Sequence, residues 1–445
     1  MLKGFINICD FGALGDGKTL DTHAIQKALD KGGRIYCPPG TYLCGTLYLK
    51  SNTMLYLEHG AIIKGSPNLA DYNPPDFCKQ NSVSKAEHTS GGHLIAAVEQ
   101  ENIIITGKGR IDGSQEAWFN KLDPQWENTV YNNFLMPELR PSQMIYFCEC
   151  RNVTVENIEI FNAPYWSCFF HGCYDVKAHG LTVRNDKRGH NGDGIGLDCV
   201  RNAIVSDCNI DTSDDCITLR SCSGKLSQPY DCQNIVISNC VLSTNQAGIR
   251  IGLGSGTKIS DAVISNIVVR SAGYGVVICA SWRGDQGAKI SNISFNNMIL
   301  NAQRPLDITT SVDYHGNGSG TIDNISFSHI RGTGVYPNGI TGSETAPITR
   351  IFLSDVVLEY PHKAGCGLWD NFTDAGKTAF YLEHVKASRM ENLQLYCHKS
   401  WEHALRMVES DVDLVNCKLD GKPSAQEIDK WVTDDFGHVL ANFRF

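Results

Sequence analysis

The chain has 445 residues, of which 42% are hydrophobic and 20% charged, so there is ample apolar material for a core and no reason to expect disorder. A formal net charge of −9 argues against a nucleic-acid partner, whose phosphates require clustered Lys and Arg. No run of about 18 apolar residues occurs, which excludes a membrane-spanning helix, and 42 glycines against 15 prolines favour many tight turns.

The chain opens MLKGFINICDFGALGDGKT, without the basic, apolar and small-residue regions of a secretory signal. A cytoplasmic location is therefore expected, with a trimmed secreted or periplasmic protein as the alternative. Residues 21–30, DTHAIQKALD, predict a short amphipathic helix within an N-terminal cap over about residues 1–40. The stretches 65–100 and 114–142 are irregular and rich in Trp, Tyr, Asn and Pro.

Self-similarity dominates the rest. ENIIITGKGRI from Glu101 is an early copy of a unit that returns as RNVTVENIEI from Arg151, YDVKAHGLTV from Tyr174 and RNAIVSDCNI from Arg201. It continues as QNIVISNCVL from Gln233, DAVISNIVV from Asp261, SNISFNNMIL from Ser291 and DNISFSHIRG from Asp323, with weaker copies from Thr349 and Ser410. From Arg151 to Asp323 the starts lie 23 to 32 residues apart, within the solenoid range.

Each unit holds two short alternating runs, rich in β-branched residues and separated by Asn, Ser or Asp. There is no room for a long helix, no leucine ladder, and too few residues per unit for a propeller blade. The pattern predicts an all-β fold: a single-stranded right-handed parallel β-helix with an N-terminal helical cap. Length alone would suggest roughly three domains; the repeat reduces this to one solenoid over residues 1–445, with an irregular tail from about 396. In such a fold the irregular insertions gather as loops on one face, often the binding face. The 18 cysteines show no C-x-x-C pair and no zinc-type spacing, and many fall inside apolar runs, which predicts buried free thiols and no metal site.

Two neighbouring coils carry acidic residues at the same phase of the repeat. One reads HNGDGIGLD, with Asp193 before a strand; the next reads TSDDCITLRS, with Asp214 and Asp215 before a strand. Stacked strands lie about 4.8 Å apart, so the three carboxylates should cluster. One of them should then have its pKa raised, giving the acid-and-base pair that glycosidic cleavage requires. Either motif alone is ordinary turn chemistry. The two in phase point to a site.

NGDG followed by SDDCITLRS resembles the N-T-D-G and D-D-C-I-x-x-K-S signatures of the polygalacturonases, glycoside hydrolase family 28. The opening DFGALGDGKTLDTHAIQKAL is similar to an N-terminal signature shared by many pectin-active β-helices, lyases included, and the later GVVICASWRG…NISFNNMILNAQRPLDI resembles the family's strand pattern, so the resemblance runs from about residue 8 to about 330. It implies that Asp214 is the general acid, that Asp193 and Asp215 hold and activate the attacking water, and that the anomeric centre is inverted. Asn191 would position the site, and Arg220 stands where the family usually has Lys.

The departures bear on substrate. The family's Gly-His-Gly step corresponds to QAGIRIG, so Ala247 replaces the His, with Arg250 three residues later. The Arg-Ile-Lys that grips a galacturonate carboxylate corresponds to Val277, Ile278 and Cys279, so both cations are gone. A neutral or deoxy sugar at the reacting subsite is the expectation. Arg220, Arg250, Trp282 and Arg283 are candidates for contacts with a neighbouring acidic residue of the substrate, or else surface arginines and a packing Trp. Trp166 and Tyr165 are candidates for stacking on a sugar, or for groove packing. His190 and His171 approach the acidic cluster in register, and His190 is a candidate for orienting an aspartate.

The reading is an inverting glycosidase, exo-acting on plant or pectic oligosaccharides or polysaccharides. No cofactor, nucleic-acid or membrane partner is expected, and the oligomeric state is left open. The alternatives are a β-helix polysaccharide lyase or epimerase, and a non-catalytic carbohydrate-binding solenoid.

Overall fold

Alternating apolar runs repeated at a fixed interval can bury their inward side chains only against the same residues one coil away. The computed structural model, which describes residues 4–124, 134–281, 286–310, 320–361, 378–398, 401 and 403–419, shows this arrangement. The chain is a right-handed parallel β-helix. It divides into two compact units, Met1–Thr218 with Ser223–Tyr230, and Leu219–Cys222 with Asp231–Phe445.

In the first unit, four strands define the face relevant to function: β1 (Ile95–Val98), β2 (Ile145–Cys148), β3 (Cys168–His171) and β4 (Ile195–Asp198). They pair in parallel, with Ile95, Ile145, Cys168 and Ile195 as one rung and Ala97, Phe147, Phe170 and Leu197 as another. These side chains point inward and are buried, and the Phe147 and Phe170 rings stack at 5.2 Å. The copies beginning at Glu101, Arg151, Tyr174 and Arg201 lie in register on a second face.

Asparagines at the turns form ladders. Asn52, Asn102, Asn152, Asp175 and Asn202 all have φ between 52° and 61°, a left-handed conformation that Asn tolerates better than most residues. Their side chains link along the column, Asn102 and Asn152 each donating to the preceding Asn at 2.8 Å and Asn202 to Asp175 at 3.1 Å. The recurrent Asn therefore serves twice, bending the backbone and hydrogen-bonding the coils together.

The helix α1 (Thr22–Leu29) buries Ile25, Ala28 and Leu29. Asp21, just before it, accepts hydrogen bonds from the Leu14 and Gly15 amides and so closes the preceding loop.

The second unit repeats the scheme. Gln233, Ser260, Ser291, Asp323 and Thr349 are successive register partners, and Phe295 stacks on Phe327 at 4.5 Å. Its strands β5 (Ala247–Ser271), β6 (Tyr274–Cys279) and β7 (Arg304–Thr309) place Arg250 in register with Val277, and Val277 with Asp307. Of the irregular tail expected over about 396–445, the part up to residue 419 holds strands His403–Val408, Val412–Val415 and Lys418–Leu419, which continue the pairing, and 420–445 lies outside the described residues. The weak copy from Ser410 belongs to them. Thirteen of the seventeen described cysteines are buried, and all seventeen are free thiols. Among the described residues, no helix is long and apolar enough to cross a membrane.

Candidate active site

The turn before β4 and the turn one coil later are pressed together, which is why glycine flanks Asp193. A Cβ on Gly192 would come 2.4 Å from the Ser213 hydroxyl, and one on Gly194 2.4 Å from the Cys216 carbonyl. Neither glycine has a positive φ; close backbone approach selects them. Gly192 N–H donates to Ser213 Oγ (3.1 Å) and Gly194 N–H to the Asp215 carbonyl (2.9 Å), locking the two turns in phase.

On this base Asp193, Asp214 and Asp215 converge, with one carboxylate oxygen from each lying within 4.8 Å of the others. Asp193 and Asp215 are 3% and 2% exposed, whereas Asp214 is half-buried. Asp214 Oδ1 accepts from the Asp215 amide at 2.9 Å, and its carbonyl accepts from Thr212 Oγ1 at 2.7 Å. The Asp193 carbonyl accepts from both the amide (2.9 Å) and the hydroxyl (2.7 Å) of Ser167, on the turn before β3. Buried Asn185 ties the same turns, donating to Ser167 Oγ and the Gly192 carbonyl and accepting from the Ala163 amide.

Asn191 stands at φ 53°, the left-handed residue of the Asp193 turn. Its Oδ1 accepts at 2.7 Å from Arg140, which is fully buried. Sequence reasoning missed Arg140, Asn185 and Glu87. Arg140 stands in the irregular 114–142 stretch, where no periodicity marks a residue as inward. Burial pushes the Arg140 guanidinium down to about 10, while Tyr165, Glu87, Asp193 and Asp214 favour its charged form.

The other expected residues fall as follows. His190 does not orient an aspartate: its Nε2 bonds the Phe134 carbonyl at 2.7 Å and its ring stacks on Phe119. His171 is in register with Asp198, at the opposite end of β3 from the Asp193 level, so its place in the acidic cluster is corrected. Trp166 is half-buried, stacked on Tyr165 at 4.7 Å and tilted on Phe169 at 4.9 Å, so one of its faces is already taken. Arg220 is buried in the second unit, and Arg250 is half-buried there. Ala247, Val277 and Cys279 pack as one apolar cluster with Tyr274 against it. Trp282 and Arg283 lie outside the described residues.

The outer face of β2 and β3 is covered. Tyr146, Cys148 and Phe169 form a buried cluster with Phe77, Val98, Trp166 and Leu226 against it. Within this cover His93 is fully buried, stacked on Tyr146 at 4.4 Å, with Nδ1 on the Gln143 carbonyl (2.7 Å) and Nε2 facing Asn81 Oδ1 (3.0 Å). Burial lowers the His93 pKa to about 4. As pH falls, the unfolded chain takes this proton first, near the ordinary value of about 6.5. The stabilisation is therefore complete above about pH 6.5 and declines until about pH 4. Unfolding free energies from urea titrations at pH 7 and pH 4.5 should differ more in the wild type than in His93→Gln, by at most about 3 kcal/mol.

Three carboxylates presented by two adjacent turns of a parallel β-helix can supply both an acid and a base, the pair that a glycosidase uses. The model for glycosyl hydrolases family 28 matches residues 75–367. The chain belongs to that family and is a glycosidase. A probable polygalacturonase of Vitis vinifera is 25% identical over 385 residues, covering 80% of this chain and 75% of its own length. The exo-poly-alpha-D-galacturonosidase of Dickeya chrysanthemi is 28% identical over 362 residues, 72% of this chain and 58% of its own. Among solved structures, the hyperthermoactive exopolygalacturonase from Thermotoga maritima superposes with a TM-score of 0.69 at 21% identity, covering 95% of this chain and 93% of that one. The family 28 exopolygalacturonase of Yersinia enterocolitica gives 0.68 at 22%, with 95% and 79% covered.

Proposed function

We propose that this chain is an inverting, exo-acting glycosidase of the polygalacturonase type that acts on pectic oligosaccharides with a neutral or deoxy sugar at the reacting subsite. The observation that carries the reading is the trio of carboxylates within 4.8 Å at two interlocked turns. A water donating two hydrogen bonds of about 2.8 Å spans acceptors about 4.6 Å apart, a span within the 4.8 Å limit of the trio, and the buried pair Asp193 and Asp215 are the acceptors assigned to it. Asp214, the most exposed of the three, faces solvent and the leaving group. In the reaction Asp214 gives its proton to the glycosidic oxygen as the C1–O bond breaks. The water attacks C1 from the opposite face and passes its proton to the Asp193–Asp215 pair.

Spacing alone also suits a second reading. Inverting pairs usually stand about 6.5–9.5 Å apart and retaining pairs about 5–5.5 Å. The third carboxylate favours inversion, because a nucleophile and an acid suffice for retention while holding a water benefits from two acceptors.

Exo-action is supported by the names of the relatives and by the segments crowding the Asp193 turn. Glu87, from the irregular stretch 65–100, accepts the Tyr165 hydroxyl, and Gln115 bonds both the amide and the carbonyl of Asp186. The neutral sugar is supported by the sequence itself, which has Ala247, Val277 and Cys279 where the family resemblance expects a His and two cations. A screen of aryl glycosides and pectic oligosaccharides, with the released anomer followed by NMR, is expected to show a neutral or deoxy glycone released with inversion. Retention would refute the assigned roles, and turnover confined to galacturonides would refute the sugar.

A further inference from the structure

We propose that Arg140 is a positioning residue that sets the orientation of the Asp193 turn by locking it to the segment carrying Glu87. The proposal rests on the reading of Asp193, Asp214 and Asp215 as the acid–base trio.

A guanidinium has five N–H donors in a rigid plane, and here all five are used. Nη1 donates to the carbonyls of Pro164 (2.9 Å) and His190 (2.7 Å). Nη2 donates to the Glu87 carbonyl (3.0 Å) and to Asn191 Oδ1 (2.7 Å), and Nε donates to the Glu87 carbonyl at 3.3 Å. None of the four acceptors is a carboxylate. The plane also faces aromatic rings, with the guanidinium carbon 5.2 Å from the Phe119 centroid and 4.9 Å from that of Tyr165. Removing a cation from water costs several kcal/mol, and carbonyl dipoles with π faces offset it only where the geometry is good.

The acceptors come from three places in the chain: the segment carrying Glu87, the turn before β3, and the turn before β4. The backbone around Arg140 is anchored to the first of these, its amide donating to the His88 carbonyl (2.9 Å) and its carbonyl accepting from Ser90 (2.9 Å). Asp193 is two residues beyond Asn191, whose left-handed conformation is held by its side-chain contact with Arg140. Losing the cation releases the His190 carbonyl and the Asn191 side chain together, while the glycine contacts with the next turn remain. Asp193 then pivots relative to Asp214 and Asp215. A displacement of about 1 Å at a reacting group costs on the order of 10²-fold in rate. Lysine cannot substitute, since three donors on a flexible stem cannot serve four acceptors in one plane.

The test is steady-state kinetics on the substrate identified by the glycoside screen, with Arg140→Lys, Arg140→Ala and Asn191→Gly. Asn191→Gly keeps the left-handed backbone accessible and removes the Arg140 acceptor, and a fall in kcat without a rise in KM separates this from a lost substrate contact, so it decides the question if the Arg140 variants fail to fold. For folded Arg140 variants kcat should fall about 10²-fold with KM within about threefold, and Asn191→Gly should show the same pattern at about tenfold. Guanidinium at tens of millimolar should restore part of kcat to Arg140→Ala and none to Asn191→Gly. Folded Arg140→Lys and Asn191→Gly with kcat within twofold of wild type would overturn the proposal. The trio is tested separately: an active Asp214→Asn enzyme defeats the acid–base reading, whereas an inactive one beside fully active Arg140 variants defeats only the role of Arg140.

Discussion

Asp214→Asn is expected to lower kcat by about 10²–10⁴-fold, the range a general acid contributes, while substrate still binds. The amide keeps the shape and retains an oxygen to accept the Asp215 N–H, so the fold has little reason to change. What is lost is the proton that the leaving oxygen needs. An activated aryl glycoside with a good leaving group should be spared much of the loss, because it departs with less protonation. A uniform loss across leaving groups would instead assign Asp214 to water activation. Turnover unchanged from wild type would remove it from the mechanism.

A second large effect is expected from one methyl group. Gly194→Ala would set Cβ 2.4 Å from the Cys216 carbonyl and 2.8 Å from Ile210 Cγ2, both parts of the adjoining coil. Backbone cannot rotate away as a side chain can, so the turns must separate. The Gly194 amide bond to the Asp215 carbonyl lies along that separation, and Asp193 is its immediate neighbour. Overpacking of this kind costs about 1–3 kcal/mol, and kcat should fall by at least about tenfold because Asp193 and Asp215 no longer share a water. Gly192→Ala should cost less, since its closest approach is to the Ser213 hydroxyl, which can turn aside at the loss of its bond from the Gly192 amide. A Gly194→Ala enzyme with wild-type urea midpoint and wild-type kcat would show that the two turns do not approach this closely.

The repeat was legible because a solenoid writes its packing into the sequence. Inward Ile, Val, Leu and Cys must meet their equivalents one coil away, so copies beginning at Arg151, Tyr174 and Arg201 had to align, and they pair in register. The acidic trio was legible for the same reason: phase in the repeat becomes position on the face, and Asp193 meets Asp214 and Asp215. His171 misled because β3 runs away from the turn, so a residue close in sequence to Trp166 ends at the level of Asp198. His190 misled because its ring is claimed by Phe134, from an insertion whose path no periodicity predicts.

Length and composition raised the possibility of several domains and left the cysteines open. The sequence by itself determined the coil, the places of its asparagine turns and the phase of the three aspartates, since each is a property of a local pattern repeated at near-constant spacing. Tertiary structure alone decided how that site is held. Arg140 finds its acceptors at Glu87, Pro164, His190 and Asn191, residues 24 to 53 positions away, one on an irregular stretch and three on two turns of the coil. A buried cation must satisfy all its donors at once, and only the folded chain specifies where five acceptor contacts converge.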